Sequence, residues 1–252
     1  MRTPPDLSEE KLLSVRIVES NEPLADIRKQ CPMILVHRLL EKNGSKPLVR
    51  RNIAKMLNHA KSFLPKEVTI MVRDALRPIN VQRRSRDLLK KRFQREHPTW
   101  LSIKIEKEVN KFIADPDSLI PPAHTTGAAV DVVLGFLKSK RSKIMKIKNL
   151  SYQEQAKVES KKTPGHVIKN RKLLYEVMTK AGFVSNPNEW WHYSYGEVFA
   201  VARIGGKIAK YGKISLSNSK DSGQVLRLRS GLFQDREFNR TARMTKDAKL
   251  NL

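Results

Sequence analysis

The spacing of apolar positions changes several times along the chain, and each change marks an element. Over 47–64, PLVRRNIAKMLNHAKSFL, apolar residues recur every three or four positions and predict an amphipathic helix. EVTIMV (67–72) is rich in β-branched residues and predicts a strand. INVQRRSRDLLKKRFQREH (79–97) predicts a charged helix that ends before Pro98, and LSIKIEKEVNKFIA (101–114) predicts another. DPDSLIPPAHTTG (115–127) is broken by Pro and Gly and predicts a loop. AAVDVVLGF (128–136) then reads as a compact apolar strand with one carboxylate inside it. HVIKNRKLLYEVMTKAG (166–182) predicts a helix with a glycine stop, followed by the short strands FVS and WWHYSY joined by the loop NPNE. From about 215 the periodicity fades. The pattern divides the chain into a mixed α and β unit over 1–214 and a basic, weakly ordered tail over 215–252.

Composition narrows the chemistry. One cysteine, Cys31, excludes an intrachain disulfide framework and a cysteine-rich zinc module, so a metal must be held by His, Asp and Glu. The opening MRTPPDLSEEKLL puts acidic residues where the apolar core of a signal peptide begins, and no apolar run is long enough to span a bilayer. A cytoplasmic protein is expected. Fifty Lys and Arg against 25 Asp and Glu give a net charge of +25. The excess is spread along the chain, with 12 basic and two acidic side chains over 137–172. Weak attraction to anionic polymers follows from such a surface. No helix-turn-helix, zinc-finger or RNP-like motif accompanies it, so specific nucleic-acid binding is not expected.

The candidate chemistry lies in three stretches. In HTTGAAVD, His124 sits in the loop and Asp131 in the apolar strand, with Gly127 allowing a tight turn between them. A buried carboxylate needs compensation, which a divalent cation supplies; a structural aspartate bonded to nearby backbone satisfies the same requirement. His192 of NEWWHY brings the set to two imidazoles and one carboxylate, the ligand number of a catalytic zinc that keeps a position for water. Glu189, three residues before His192, is placed to act as general base rather than ligand. In VRDALRP, Arg77 precedes a proline at a strand end, where a guanidinium could stabilise an oxyanion. Trp190 and Trp191 alternate across a strand, so one is expected in the core and the other on the pocket wall beside Glu189. His37, His59, His97 and His166 read as surface or structural residues.

VRDALRP, PAHTTGAAVD and EWWHYSYG, in this order and at these separations, closely resemble the D-alanyl-D-alanine dipeptidases of the vancomycin-resistance type over roughly residues 20 to 200. The resemblance implies an α+β fold shared with D,D-carboxypeptidases and the Hedgehog signalling domain, with a small antiparallel sheet flanked by helices. It implies one zinc ion on His124, Asp131 and His192, Glu189 as catalytic base, Arg77 as transition-state stabiliser, and a small peptide as substrate. Two positions depart from the family pattern. Pro122 stands where a serine usually precedes the first histidine, and KIMKIKNLSYQEQ lacks the aspartate that holds the substrate's amino group. Glu154 or Glu159 could replace that carboxylate. The resemblance implies hydrolysis of D-alanyl-D-alanine or a close relative. A D,D-carboxypeptidase or other wall peptidase acting on a longer peptide, and a binding module using the basic surface, are the alternatives.

Overall fold

The computed structural model describes residues 7–141, 152–157 and 163–215. The chain first forms α1 (Glu9–Leu13), β1 (Arg16–Ile17), β2 (Leu24–Asp26), α2 (Ile27–Gln30), β3 (Leu35–Val36), α3 (Leu39–Lys42) and β4 (Leu48–Arg50). Longer elements follow: α4 (Arg51–Ser62), β5 (Val68–Asp74), α5 (Ile79–Glu96) and α6 (Ser102–Asn110). A 3-10 turn (Ala123–Thr126) leads into β6 (Ala129–Phe136). Then come α7 (Tyr152–Ala156), α8 (Gly165–Lys180), β7 (Val184–Asn186), β8 (Glu189–Ser194), α9 (Val198–Arg203) and β9 (Ile208–Ala209).

The central sheet has the order β3-β5-β6-β8-β7. Neighbours in it are antiparallel except for β3, which runs parallel to β5 at one edge. The architecture is therefore the expected α+β arrangement with one parallel pair added at the edge of the central sheet and a second, β1 with β9, outside it. Strand β6 explains its own apolar run, interrupted by Asp131: Val130, Val132, Val133 and Leu134 are all buried. Ile53 and Leu57 of α4, four apart on one helix face, and Leu174 and Met178 of α8, also four apart, belong to the same core cluster. Helices α5 and α6 meet each other around Leu89, Phe93, Ile105 and Val109.

Three sequence expectations are revised. The helix expected over 47–64 begins only at Arg51, because Leu48–Arg50 pairs antiparallel with Leu24–Asp26. Helix α6 stops at Asn110, and Phe112 and Ile113 turn back onto the α5–α6 cluster. The expected loop 115–127 contains the 3-10 turn that carries His124. Residues 216–252 of the expected tail, much of the basic run, and Glu159 lie outside the described residues. Among the described residues no helix is long and apolar enough to cross a membrane.

One buried cation fixes the loop ahead of β6. The Arg50 guanidinium is fully buried and reaches both Glu19 carboxylate oxygens at 3.0 and 3.1 Å. Its Nε donates to the Thr126 carbonyl at 2.9 Å and its Nη2 to the Gly212 carbonyl at 3.3 Å. The Tyr211 ring lies beneath it, 5.1 Å away. A buried charge is tolerated when its donors are met in this way. Here the donors connect the N-terminal segment, the site loop and the stretch around residue 212.

Candidate active site

Register across the sheet assembles the site. Asp131 of β6 lies directly opposite His192 of β8, and opposite Asp74 of β5 on its other side. Directly paired residues project to the same face about 5 Å apart, so Asp74, Asp131 and His192 form a row across three strands. Asp74 enters that row because β5 bulges between Val72 and Asp74, leaving Arg73 without a partner. A second irregularity pairs Ser185 with Tyr193 but Asn186 with Glu189, so β8 carries extra residues relative to β7. Strict alternation would send Glu189 and His192, three apart, to opposite faces. With the irregularity, both line one cavity.

His124 arrives from the 3-10 turn. Gly127 ends that turn in the left-handed region, at φ +69°. A Cβ there would also sit 3.0 Å from Ile214 Cδ1 and Leu24 Cδ2, so the position calls for glycine on both counts. Hydroxyl donors brace the turn, from Thr125 to the Pro122 carbonyl at 2.7 Å and from Thr126 to the Ala123 carbonyl at 2.6 Å. Pro122, in place of the usual serine, caps the turn and lines the cavity.

The three candidate ligands converge. His124 Nδ1 lies 2.9 Å from the Ala75 carbonyl, which can only accept, so Nδ1 carries the proton and Nε2 presents a lone pair. That Nε2 is 3.1 Å from Asp131 Oδ1 and 3.1 Å from His192 Nδ1, and the latter is 3.0 Å from Asp131 Oδ1. A tetrahedral zinc with bonds of about 2.0–2.2 Å separates its ligand atoms by roughly 3.3–3.6 Å. The observed triangle is a slightly contracted face of that tetrahedron, and its donor set fits the ion. Burial works against the Asp131 charge, but the two imidazoles hold its carboxyl far below the usual carboxylate range. Burial likewise works against protonation of His124, but the Asp131 charge raises its pKa.

Glu189 has the opposite environment. It is buried, and burial first, then the Asp131 charge, push its pKa well above the ordinary value. The Tyr152 hydroxyl donates to Oε1 at 3.1 Å, and Asn186 Nδ2 approaches Oε2 at 3.5 Å. Two carboxylates whose environments drive them apart, one held ionised and one able to take up a proton, are the arrangement acid–base chemistry requires.

Arg77 is buried rather than on the surface. Its Nε and Nη2 both donate to Asp74 Oδ2, at 3.1 and 2.5 Å, and its Nη1 donates to Gln82 Oε1 at 2.8 Å. Its backbone N–H donates to the His124 carbonyl at 3.0 Å, which ties the two motifs together. Of the five guanidinium N–H groups, these bonds use three. The others remain to meet an anionic oxygen in the cavity that Arg77 lines.

The cavity has a volume of about 720 Å³ and is lined by Arg77, His124, Glu189 and His192 together with Phe112, Leu119 and Arg203. One tryptophan is placed as the sequence predicts, and the other is not. Trp190 is in the core, with Nε1 donating to the Gln155 carbonyl at 2.9 Å. Trp191 packs edge-on against the Tyr152 ring with centroids 6.0 Å apart. Neither they nor Glu154 line the cavity. Asp74, Gln82 and Tyr152 were missed by sequence reasoning. Asp74 stands three residues before Arg77 in VRDALRP, and that spacing is a signal that could have found it.

The sequence profile of the D-ala-D-ala dipeptidase family matches residues 14–205. A D-alanyl-D-alanine dipeptidase of Synechocystis sp. is 29% identical over 245 residues, covering 80% of this chain and 96% of that protein. Two solved structures are also similar. One is a mutant of the vancomycin-resistance D,D-pentapeptidase VanY, from a VanB-type resistance cassette, in complex with Zn(II). It is 17% identical with a TM-score of 0.39, over 62% of this chain and 76% of that one. The other, VanYB in complex with D-alanine-D-alanine, is 17% identical with a TM-score of 0.40, over 65% and 81%.

Proposed function

This chain belongs to the D-ala-D-ala dipeptidase family of peptidases, and we propose that it hydrolyses D-alanyl-D-alanine, or a closely related D-amino-acid peptide, with the aid of one zinc ion. The observation that carries this reading is the convergence of His124 Nε2, Asp131 Oδ1 and His192 Nδ1 within 3.1 Å of one another, in a cavity that also holds Glu189 and Arg77. Zinc held by those three residues would supply Lewis acidity toward the scissile carbonyl and the attacking water. Glu189 takes the proton of that water and later delivers it to the departing amine. The Arg77 N–H groups not used by Asp74 and Gln82 face the oxygen on which negative charge develops. Asp74 and Gln82 hold the guanidinium for that purpose.

Arg77→Lys is expected to lower kcat about 10²-fold, with KM changed much less. One ammonium cannot engage Asp74 and Gln82 at once and still present donors to the oxyanion. Steady-state kinetics check this, and a kcat close to wild type would remove Arg77 from the mechanism.

The cavity supports a second reading. Its volume of about 720 Å³ is in the upper part of the range for ligand sites and exceeds what a dipeptide needs. A D,D-carboxypeptidase acting on the end of a longer peptide would use it more fully. Release of the C-terminal amino acid from D-Ala-D-Ala, from L,D- and L,L-dipeptides and from a D-Ala-D-Ala-terminated pentapeptide separates the two. Fastest turnover of the free D,D-dipeptide supports the first reading, and fastest turnover of the pentapeptide supports the second. No turnover of any of them contradicts both.

A further inference from the structure

Tyr152 is half-buried beside Glu189, and no catalytic motif of the sequence contains it. Its hydroxyl donates to Glu189 Oε1 at 3.1 Å from 37 residues earlier in the chain. The ring is fixed on several sides. It meets Phe112 edge-on at 5.1 Å, Phe93 at 6.1 Å and Trp191 at 6.0 Å, and the Arg92 guanidinium lies over it at 5.1 Å. These contacts leave the hydroxyl little freedom to turn away from the carboxylate.

The short helix α7 that bears Tyr152 is itself clamped. Trp190 Nε1 donates to the Gln155 carbonyl at 2.9 Å. Arg171 of α8 reaches the Lys157 carbonyl at 2.6 Å and Gln155 Oε1 at 3.0 Å, with its guanidinium over the Trp190 ring at 4.7 Å. A five-residue helix has little stability of its own, so these bonds to α8 and β8 are what place it. The two adjacent tryptophans thereby gain a use. Trp190 holds the backbone of α7, and Trp191 holds the ring that α7 presents.

We infer that Tyr152 is a positioning residue for the reaction proposed above: its hydroxyl fixes Oε1 of Glu189, so that Oε2, which Asn186 Nδ2 approaches only at the longer 3.5 Å, is the oxygen that accepts and returns the proton. The inference rests on Glu189 being the base. Burial and the adjacent Glu189 charge push the phenol pKa well above its ordinary value, so the hydroxyl remains a donor throughout the working range. A carboxylate held at one oxygen loses less freedom in reaching the transition state, and a hydrogen bond to an ionised acceptor is among the stronger ones.

The experiment measures kcat and KM for wild type, Tyr152→Phe, Glu189→Gln and the double variant on the best substrate of the panel, with zinc content and Tm alongside. Phenylalanine keeps the ring contacts and removes only the hydroxyl. The expected result for Tyr152→Phe is a kcat lower by roughly 10–100-fold with KM within about twofold and with zinc content and Tm close to wild type. In the Glu189→Gln background the same change should cost almost nothing further, because there is no longer a base to hold. A role that is merely structural would lower kcat by the same factor in both backgrounds, and that outcome overturns the inference. So does a wild-type kcat in Tyr152→Phe beside a slow Glu189→Gln, which leaves the proposed function standing. A wild-type kcat in Glu189→Gln alone removes the base itself, and both the proposed function and this inference fall together.

Discussion

Glu189→Gln should lower kcat by on the order of 10²–10⁴ while leaving zinc content and KM near wild type. The substitution keeps the shape and removes the proton acceptor. Substrate can still bind, and Arg77 can still meet the developing oxyanion, but nothing collects the proton from the attacking water. The variant should also fold at least as stably as the parent. Glu189 is buried beside Asp131, and both burial and that charge disfavour its ionised form. A neutral amide removes the penalty, as is common where a site holds a group that stability alone would not choose. The sign with pH follows from the raised pKa. Folding favours the protonated carboxyl, so the cost of Glu189 is fully present above its raised native pKa, shrinks as pH falls below it and vanishes only below the ordinary carboxyl value. The Tm advantage of Glu189→Gln in chelator-treated protein should therefore shrink toward acid pH. A variant that loses both activity and several degrees of Tm at neutral pH would point to a structural glutamate instead.

His192→Ala should behave in the opposite manner. It removes one corner of the triangle formed with His124 Nε2 and Asp131 Oδ1. Outer-shell partners of metal sites typically matter 10–100-fold in affinity or activity, and a direct ligand should exceed that. After dialysis the wild type should retain about one zinc per chain and His192→Ala close to none, whereas Glu189→Gln should match the wild type. Elemental analysis of the three proteins decides it. Stoichiometric zinc in His192→Ala would mean that the ion is held elsewhere.

The chemistry of the site was more legible in the sequence than its geometry. His124, Asp131, Glu189 and His192 stand in two short stretches, and a carboxylate in an apolar strand is conspicuous because burial demands a partner. The pairing of Asp131 with His192 was not legible, since a register across 61 residues is set by the sheet as a whole. Nor was the β5 bulge, which brings Asp74 opposite Asp131 and lets it grip Arg77. The N-terminal strands span two or three residues each, too few to show a period. Leu48 and Val49 continued the helical spacing of α4 and concealed β4, which exists because Leu24–Asp26 is there to pair with it. Tyr152 lay in a stretch whose most visible property was positive charge. Only packing of α7 on Trp190, Trp191 and Arg171 reveals what its hydroxyl touches. The tryptophan pair in NEWWHY suggested one ring in the core and one on the pocket wall; β8 turns Trp190 into the core as expected, but turns Trp191 onto Tyr152.

The central claim is that one metal ion on His124, Asp131 and His192 makes this cavity a D,D-peptidase site. It is tested most directly by stripping the purified chain with a chelator and following D-alanine release from D-Ala-D-Ala and from the pentapeptide as zinc is returned. The expected result is negligible release from the stripped protein and recovery that saturates at about one zinc per chain. Full release by stripped protein, or no release of D-alanine from either peptide once zinc is bound, would contradict it.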